Sequence, residues 1–294
     1  MSAEKRVVGV IGGSGVYALD AIEGAEKILR ETPWGSPSGP VVRGRMNGVE
    51  VAFLARHGEG HRIPPSEVNY RANIDALKRA GVTDVISISA CGSFREELAP
   101  GVFVIVDQLI DRTSGRAKSF FGTGCVAHVS MADPVCPALA DAVEASCRAL
   151  AIPHHRGGTY VTIDGPQFSS RAESLLYKSS GCDVIGMTNM PEAKLAREAE
   201  LPFATVAMVT DYDCWRIGAA HVEVAGILAI MKQNADAARR LVADLVARLG
   251  PTRTRSPLGI ETALDFAIIT PQEARDPALV AKLDAVAGRA LSRP

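Results

Sequence analysis

Two apolar rhythms alternate along the chain. Short runs rich in β-branched residues stand at Val7–Ile11, Val51–Ala55, Asp84–Ser89, Val102–Val106, Thr159–Ile163, Asp183–Met187 and Phe203–Val209, and each reads as a strand. Several are apolar at nearly every position, the pattern of strands covered on both faces. Between them, apolar residues recur at helical spacing in Glu67–Arg79, Cys136–Leu150, Glu173–Ser179, Glu192–Ala199 and His221–Leu249. This alternation predicts an α/β single-domain layered fold with a central mixed β-sheet flanked by helices. The domain is expected to span residues 1–270, with the apolar run Phe266–Thr270 near its end. A helix predicted from about Pro277 to Leu291 makes residues 271–294 a C-terminal helical extension.

Composition narrows the class. The chain has 294 residues, 47% of them hydrophobic, enough for a sizeable core. Lys and Arg number 32 against 33 Asp and Glu, so the net charge is -1 and no basic excess points to nucleic acid. No apolar run reaches the roughly 20 residues needed to span a bilayer. The opening MSAEKRVV lacks the apolar core of a signal peptide. The expectation is a cytoplasmic protein with neither nucleic-acid nor membrane partners. Six cysteines occur with no CxxC pair, which suits buried free thiols rather than a zinc site.

The chemistry is carried at strand ends, where ligands bind in open α/β sheets. The first strand feeds Gly12-Gly13-Ser14-Gly15. Three readings of this loop stand side by side. Gly13-x-Gly15-x-x-Ala18 meets the relaxed dinucleotide fingerprint and suggests an NAD-dependent oxidoreductase, although no second strand places an acid for the ribose. Alternatively, the glycines let backbone N–H groups and the Ser14 hydroxyl cradle a small anion. The third reading is a tight turn with no ligand. No lysine follows, so a triphosphate loop is excluded.

Other strand ends offer partners for an anion and a base. LARHGEGH supplies Arg56, whose planar fork matches phosphate oxygens, and His57. Ala90-Cys91-Gly92-Ser93 is a run of minimal side chains, read as a turn that exposes backbone N–H groups. TIDGPQFSSRAES brings Phe168 and Ser169, and MTNMPEAKLAREA places Met187 and Thr188 ahead of a helix. VTDYDCW ends a very apolar strand with Asp211 and Asp213, an alternation packing alone rarely requires.

Taken together, GGSG, LARHG, NYRANI, ACGS, DQLIDRT, GPQFSSRAES, MTNMPEAKLAREA and TDYDCW resemble the trimeric purine nucleoside phosphorylase superfamily, in order, from about Val7 to Ile269. TDYDCW resembles its adenine-reading members. The resemblance implies phosphorolysis of methylthioadenosine to adenine and 5-methylthioribose 1-phosphate. Inorganic phosphate is then a co-substrate, and no metal or organic cofactor is needed. It implies a homotrimer, alone or as a dimer of trimers. Phosphate would be held by Ser14, Arg56, His57, Ala90 and Thr188. Cys91, Gly92, Phe168, Ser169 and Met187 would contact the nucleoside, and Asp211 and Asp213 would read adenine and serve its departure. Val224 and Ile227 would line the methylthio pocket, with His128 and Ile269 entering from a neighbouring subunit. The chain departs from the family pattern with Ser14 for threonine, Gln167 for arginine and Gly186 for asparagine. A phosphorylase for methylthioinosine or 6-oxopurine nucleosides is the alternative within the family.

Overall fold

The computed structural model describes residues 4–13, 22–216 and 224–292. Its strands are β1 (Glu4–Lys5), β2 (Val7–Gly12), β3 (Glu23–Ile28), β4 (Val41–Met46), β5 (Val49–Ala55), β6 (Asp84–Ser93), β7 (Phe103–Ile105), β8 (Gln108–Asp111), β9 (His154–Arg156), β10 (Thr159–Thr162), β11 (Val184–Gly186), β12 (Phe203–Asp211) and β13 (Thr252–Arg253). Its α-helices are α1 (Tyr70–Arg79), α2 (Pro137–Ala149), α3 (Arg171–Ser179), α4 (Asn189–Glu198), α5 (Val224–Leu249), α6 (Pro277–Lys282) and α7 (Asp284–Leu291).

Eleven strands form one mixed sheet. Its main path is β3-β4-β5-β2-β6-β11-β10-β8, and β12, β7 and β9 branch from β6. Alternation along β2 explains how the sheet is covered. Val7 and Ile11 belong to a cluster with Ile74 and Leu77 of α1 and Ala193 and Leu195 of α4. Val8 and Val10 belong to another with Leu139 and Val143 of α2 and Leu241 and Leu245 of α5. Helices therefore close both faces, as the nearly all-apolar strands anticipate.

Helix boundaries follow local hydrogen bonding. The predicted helix from Glu67 splits into a 3₁₀ turn, Pro65–Glu67, and α1, because the Asn69 side chain accepts from the Ala72 N–H and starts a new helix. Ser170 and Glu173 form a reciprocal capping box at the start of α3. Pro137 occupies the first turn of α2, where its missing N–H is harmless.

Four main-sheet strands lack a clear apolar signature. β3, EGAEKI, is a sheet edge with five of six residues exposed. β8 and β9 are edges of four and three residues. β4 carries Arg43 and Arg45 within VVRGRM. Conversely, FAIIT makes a single bridge, Ala127 to Ile268, and no strand. The predicted terminal helix is two short ones, α6 and α7. Leu283, Val286 and Ala287 are buried in the cluster of α1 and α4, and Arg289 pairs with Glu200 at 2.7 Å. All six cysteines are free, and five are buried. No helix among the described residues is long and apolar enough to cross a membrane.

Candidate active site

The site originates in how β6 changes neighbours. Along one edge, Asp84–Ile88 pair with β2 in parallel, and Gly92 and Ser93 pair with β11 antiparallel. Ser89, Ala90 and Cys91 fall between those two ladders. The opposite edge stays paired to β12 from Val85 to Gly92. A gap thus opens in the sheet where strand order switches, the place at which α/β sheets bind ligands. A cavity of about 280 Å³ fills it, reached by Ser89, Ala90, Cys91 and Gly92. Ala90–Ser93 is therefore strand rather than the turn its small residues suggest. It is paired on both edges at Gly92, and small side chains let flanking groups come close.

Arg56, His57 and Thr188 line the cavity, and the Arg56 guanidinium marks the end beside Ile88 of β6. Arg56 follows β5 and is fully buried. Its Nε donates to Glu192 Oε1 at 2.8 Å, and Nη2 donates to Glu192 Oε2 at 3.0 Å and Ser87 Oγ at 2.8 Å. Nη1 donates to the Ile88 carbonyl at 3.0 Å. Of the five guanidinium hydrogens, four are engaged by these bonds, so at most one on Nη1 remains for a ligand among the described residues. Burial opposes the Arg56 charge, and the Glu192 carboxylate outweighs it. Gly13 also lines this end. A Cβ there would lie 2.9 Å from Arg56 Nη1 and from the Ile88 carbonyl, so only glycine lets the backbone approach so closely.

His57 Nδ1 lies 2.8 Å from the Ile63 carbonyl, which can only accept, so Nδ1 carries the proton. Burial, then the Arg56 charge, pushes the His57 pKa down to about 4. The ring is neutral at pH 7, and Nε2 is an acceptor. His61 stacks on it with ring centroids 4.2 Å apart.

Asp211 and Asp213 line the cavity too, beside Gly92 further along β6 at the other end. A register shift between Val209 and Asp211 breaks the β12–β6 ladder there, and such bulges re-aim side chains. Thr210 Oγ1 donates to Asp211 Oδ2 at 2.7 Å, and the Asp213 N–H donates to Asp211 Oδ1 at 2.8 Å. Asp213 sits at φ 50, the left-handed region that aspartate tolerates better than most residues. Its Oδ2 is buried, and the buried Ser174 hydroxyl beside the carboxyl partly offsets the effect of burial on it. Burial raises both carboxyls above the ordinary aspartate range, and the neighbouring Asp211 charge raises Asp213 further. Gly92 makes this crowding possible, because a Cβ there would lie 3.1 Å from Asp211 Oδ1 and 3.3 Å from Asp213 Cβ.

Met187 forms part of the wall between the two ends, with Phe168 (73% exposed) and Ser169 also lining the cavity. Ile163, Ile185, Thr210 and Met231 line it too, none of them singled out from the sequence as a site residue. Gly186 is explained by Tyr160. A Cβ at 186 would lie 1.7 Å from the Tyr160 hydroxyl, so the buried phenol takes the place of a side chain there. Ser14 lies outside the described residues. Val224 and Ile227 fall in the first turn of α5, and their side chains are likewise outside what is described. His128 and Ile269 do not reach this chain's own cavity. They stand together elsewhere, tied by His128 N–H to Ala267 O at 2.9 Å and Ile269 N–H to Val126 O at 3.0 Å. Both are exposed, Ile269 by 60%.

Known proteins share this frame. The family described as Phosphorylase superfamily matches residues 7–247. The S-methyl-5'-thioadenosine phosphorylase of Cereibacter sphaeroides is 61% identical over 98% of this chain and 99% of its own. That of Geobacter sulfurreducens is 49% identical over 97% and 99%. Among solved structures, a methylthioadenosine phosphorylase from an Antarctic soil metagenomic library superimposes with TM-score 0.90 at 47% identity, covering 97% of this chain and 99% of that one. A variant adenosine/methylthioadenosine phosphorylase of Schistosoma mansoni, in complex with methylthioadenosine, gives TM-score 0.82 at 38% identity over 88% and 96%. With a family match over most of its length and relatives this similar end to end, the chain belongs to the phosphorylase superfamily.

Proposed function

We propose that this protein is an S-methyl-5'-thioadenosine phosphorylase, a pentosyltransferase of purine and methionine salvage. It cleaves the N-glycosidic bond of methylthioadenosine with phosphate, giving adenine and 5-methylthioribose 1-phosphate. The observation that carries this reading is the polarity of the cavity. A buried cation and a neutral imidazole stand at one end, and two carboxyls raised by burial stand at the other.

The reaction breaks the bond between the sugar's C1' and adenine N9 and forms one from C1' to a phosphate oxygen. The sugar passes through an oxocarbenium-like state, which the phosphate's negative charge stabilises. Arg56, Ala90, Thr188 and Ser14 hold the phosphate. A neutral His57 contributes an acceptor, which suits the hydroxyl of hydrogen phosphate rather than its anionic oxygens. The departing base must not leave as a bare anion. An aspartic acid with the ordinary pKa of about 4 is ionised at pH 7, so Asp211, whose pKa burial raises, either protonates N7 itself or, as a carboxylate, orders the proton relay that does. The buried Oδ2 of Asp213 accepts from the exocyclic amine of adenine. A 6-oxo base would set an acceptor against it and leave both unpaired, at about 1–3 kcal/mol. Cys91, Gly92, Phe168 and Ser169 line the base, Met187 packs on the ribose, and Val224 and Ile227 line the methylthio end.

The same reading takes the protein as a cytoplasmic homotrimer that uses no metal or organic cofactor. Exposed Ile269 and His128, displaced from their own chain's cavity, suit a role in a neighbour's site. The deciding assay is adenine release from methylthioadenosine, with and without phosphate. Release should require phosphate, and methylthioadenosine should outperform methylthioinosine, adenosine and inosine. Preference for inosine, or tight NAD binding independent of phosphate, would overturn the proposal.

A further inference from the structure

Arg116 belongs to no motif noted in the sequence and does not line the cavity. Its side chain is only 2% exposed. Nη1 donates to the carbonyls of Met187 and Met190, each at 2.8 Å, and to the Tyr70 hydroxyl at 3.1 Å. Nη2 donates to the Asp164 carbonyl at 2.8 Å, to Ser66 Oγ at 3.3 Å and to the Ile163 carbonyl at 3.4 Å. Nε lies 3.4 Å from Asp164 Oδ1. The guanidinium also lies over the Tyr70 ring, 5.3 Å from its centroid.

These contacts join three stretches distant in sequence. Pro65 beside Ser66, Ile163 with the loop toward Pro166, and the Met187–Thr188 pair all line the cavity. One buried cation fastens their outer sides, the first through the Ser66 hydroxyl and the other two through carbonyl oxygens. In a trans peptide the C=O and the following N–H point in opposite directions. Drawing the Met187 carbonyl toward Arg116 therefore turns the Thr188 N–H away from the guanidinium, to the side where Thr188 meets the cavity. The Asp164 carbonyl sets the Gly165 N–H in the same way. The charge itself is felt in the site, since Arg116 is among the cations that hold His57 neutral.

We infer that Arg116 is a positioning residue, which clamps three wall segments from behind and aims the Thr188 backbone N–H at the phosphate. The inference rests on the phosphorolysis reading for its ligand and on the hydrogen bonds alone for the clamp. Three arms test it. Arg116→Ala and Arg116→Lys are compared with the wild type for phosphate KM, methylthioadenosine KM and kcat. Guanidinium ion at millimolar level is added to Arg116→Ala. Hydrogen exchange is read without ligand over residues 163–169 and 187–190. The expected result is a phosphate KM raised about tenfold or more, the scale of a lost directed donor. Guanidinium restores part of it, and protection falls in those two segments alone. Lysine keeps the charge but lacks the fork, so Arg116→Lys shifts the same way and carries the test if Arg116→Ala does not fold. Wild-type phosphate KM with wild-type exchange in a folded variant would overturn the clamp. So would protection lost evenly across the fold with an unchanged phosphate KM. An inactive wild type would sink the phosphorolysis reading, and exchange would still decide the clamp.

Discussion

Replacing Glu192 by glutamine keeps its shape and removes its charge. Glu192 is 1% exposed and Arg56 fully buried, and two contacts of 2.8 and 3.0 Å join them. Arginine does not give up its proton in proteins, so Arg56→neutral is not an escape. Breaking one partner of a buried ion pair costs about 3–5 kcal/mol, because the other charge is left uncompensated. The fork adds to this. Glutamine has one acceptor oxygen for Nε, Nη2 and the Ser87 hydroxyl, which donates to Oε2 at 2.6 Å, and its NH₂ faces a donor. A loss of about 4 kcal/mol is expected. Phosphate should reduce it, because the anion supplies part of the missing negative charge. The assay is urea unfolding at fixed protein concentration, with and without saturating phosphate, at unchanged m. A loss below about 1 kcal/mol, the level of an exposed pair, would refute confinement of the Arg56 charge. A loss indifferent to phosphate would place the anion elsewhere.

Asp211→Ala should lower turnover by about 10²–10⁴-fold while phosphate affinity stays near normal, and unchanged turnover would remove Asp211 from the mechanism. Asp213→Asn should narrow the preference for methylthioadenosine over methylthioinosine by about tenfold or more, since the amide can donate to a 6-oxo group; the ratio of kcat/KM values reads this, and a constant ratio argues against base reading by Asp213. Gly92→Ala should cut kcat with a modest fall in Tm, because the new Cβ presses on Asp211 Oδ1 and Ile185, both 3.1 Å away; wild-type kcat would show that the carboxyls tolerate displacement. His57 is held at about 4 in the fold against about 6.5 in the free residue. Its contribution to stability is thus complete above pH 6.5 and lost as pH falls toward 4, where the unfolded chain takes up the proton first. The urea midpoint of wild type should fall more steeply across that window than that of His57→Gln, and equal slopes would count against a buried neutral ring.

The layered α/β frame was legible because its central strands are covered on both faces. VVGVI is short, mostly β-branched and followed by glycines, which favours a strand, and its alternate residues feed both helix layers. The edge strands were not legible, since EGAEKI is polar and exposed. For the site, the strand-end residues Arg56, His57, Thr188, Asp211 and Asp213 meet around one cavity. Their partners had no local signal. Glu192 lies 136 positions from Arg56, and Arg116 reaches its carbonyls across 47 to 74 positions. Nor does spacing reveal that a tyrosine at 160 forbids a side chain at 186.

The change of neighbours along β6 makes that strand a ruler. Residues of one strand rise about 3.3 Å each, so the anion end near Ser89 and Ala90 and the carboxyl end at Gly92 are separated by a length written into extended backbone. Loops can drift under mutation, whereas this interval cannot stretch or shrink. Inserting a single residue would turn every later side chain to the opposite face. Altered nucleoside preference in this scaffold should therefore arise at the rim and toward α5, and the span between nucleophile and leaving group should be its most stubborn dimension under directed evolution.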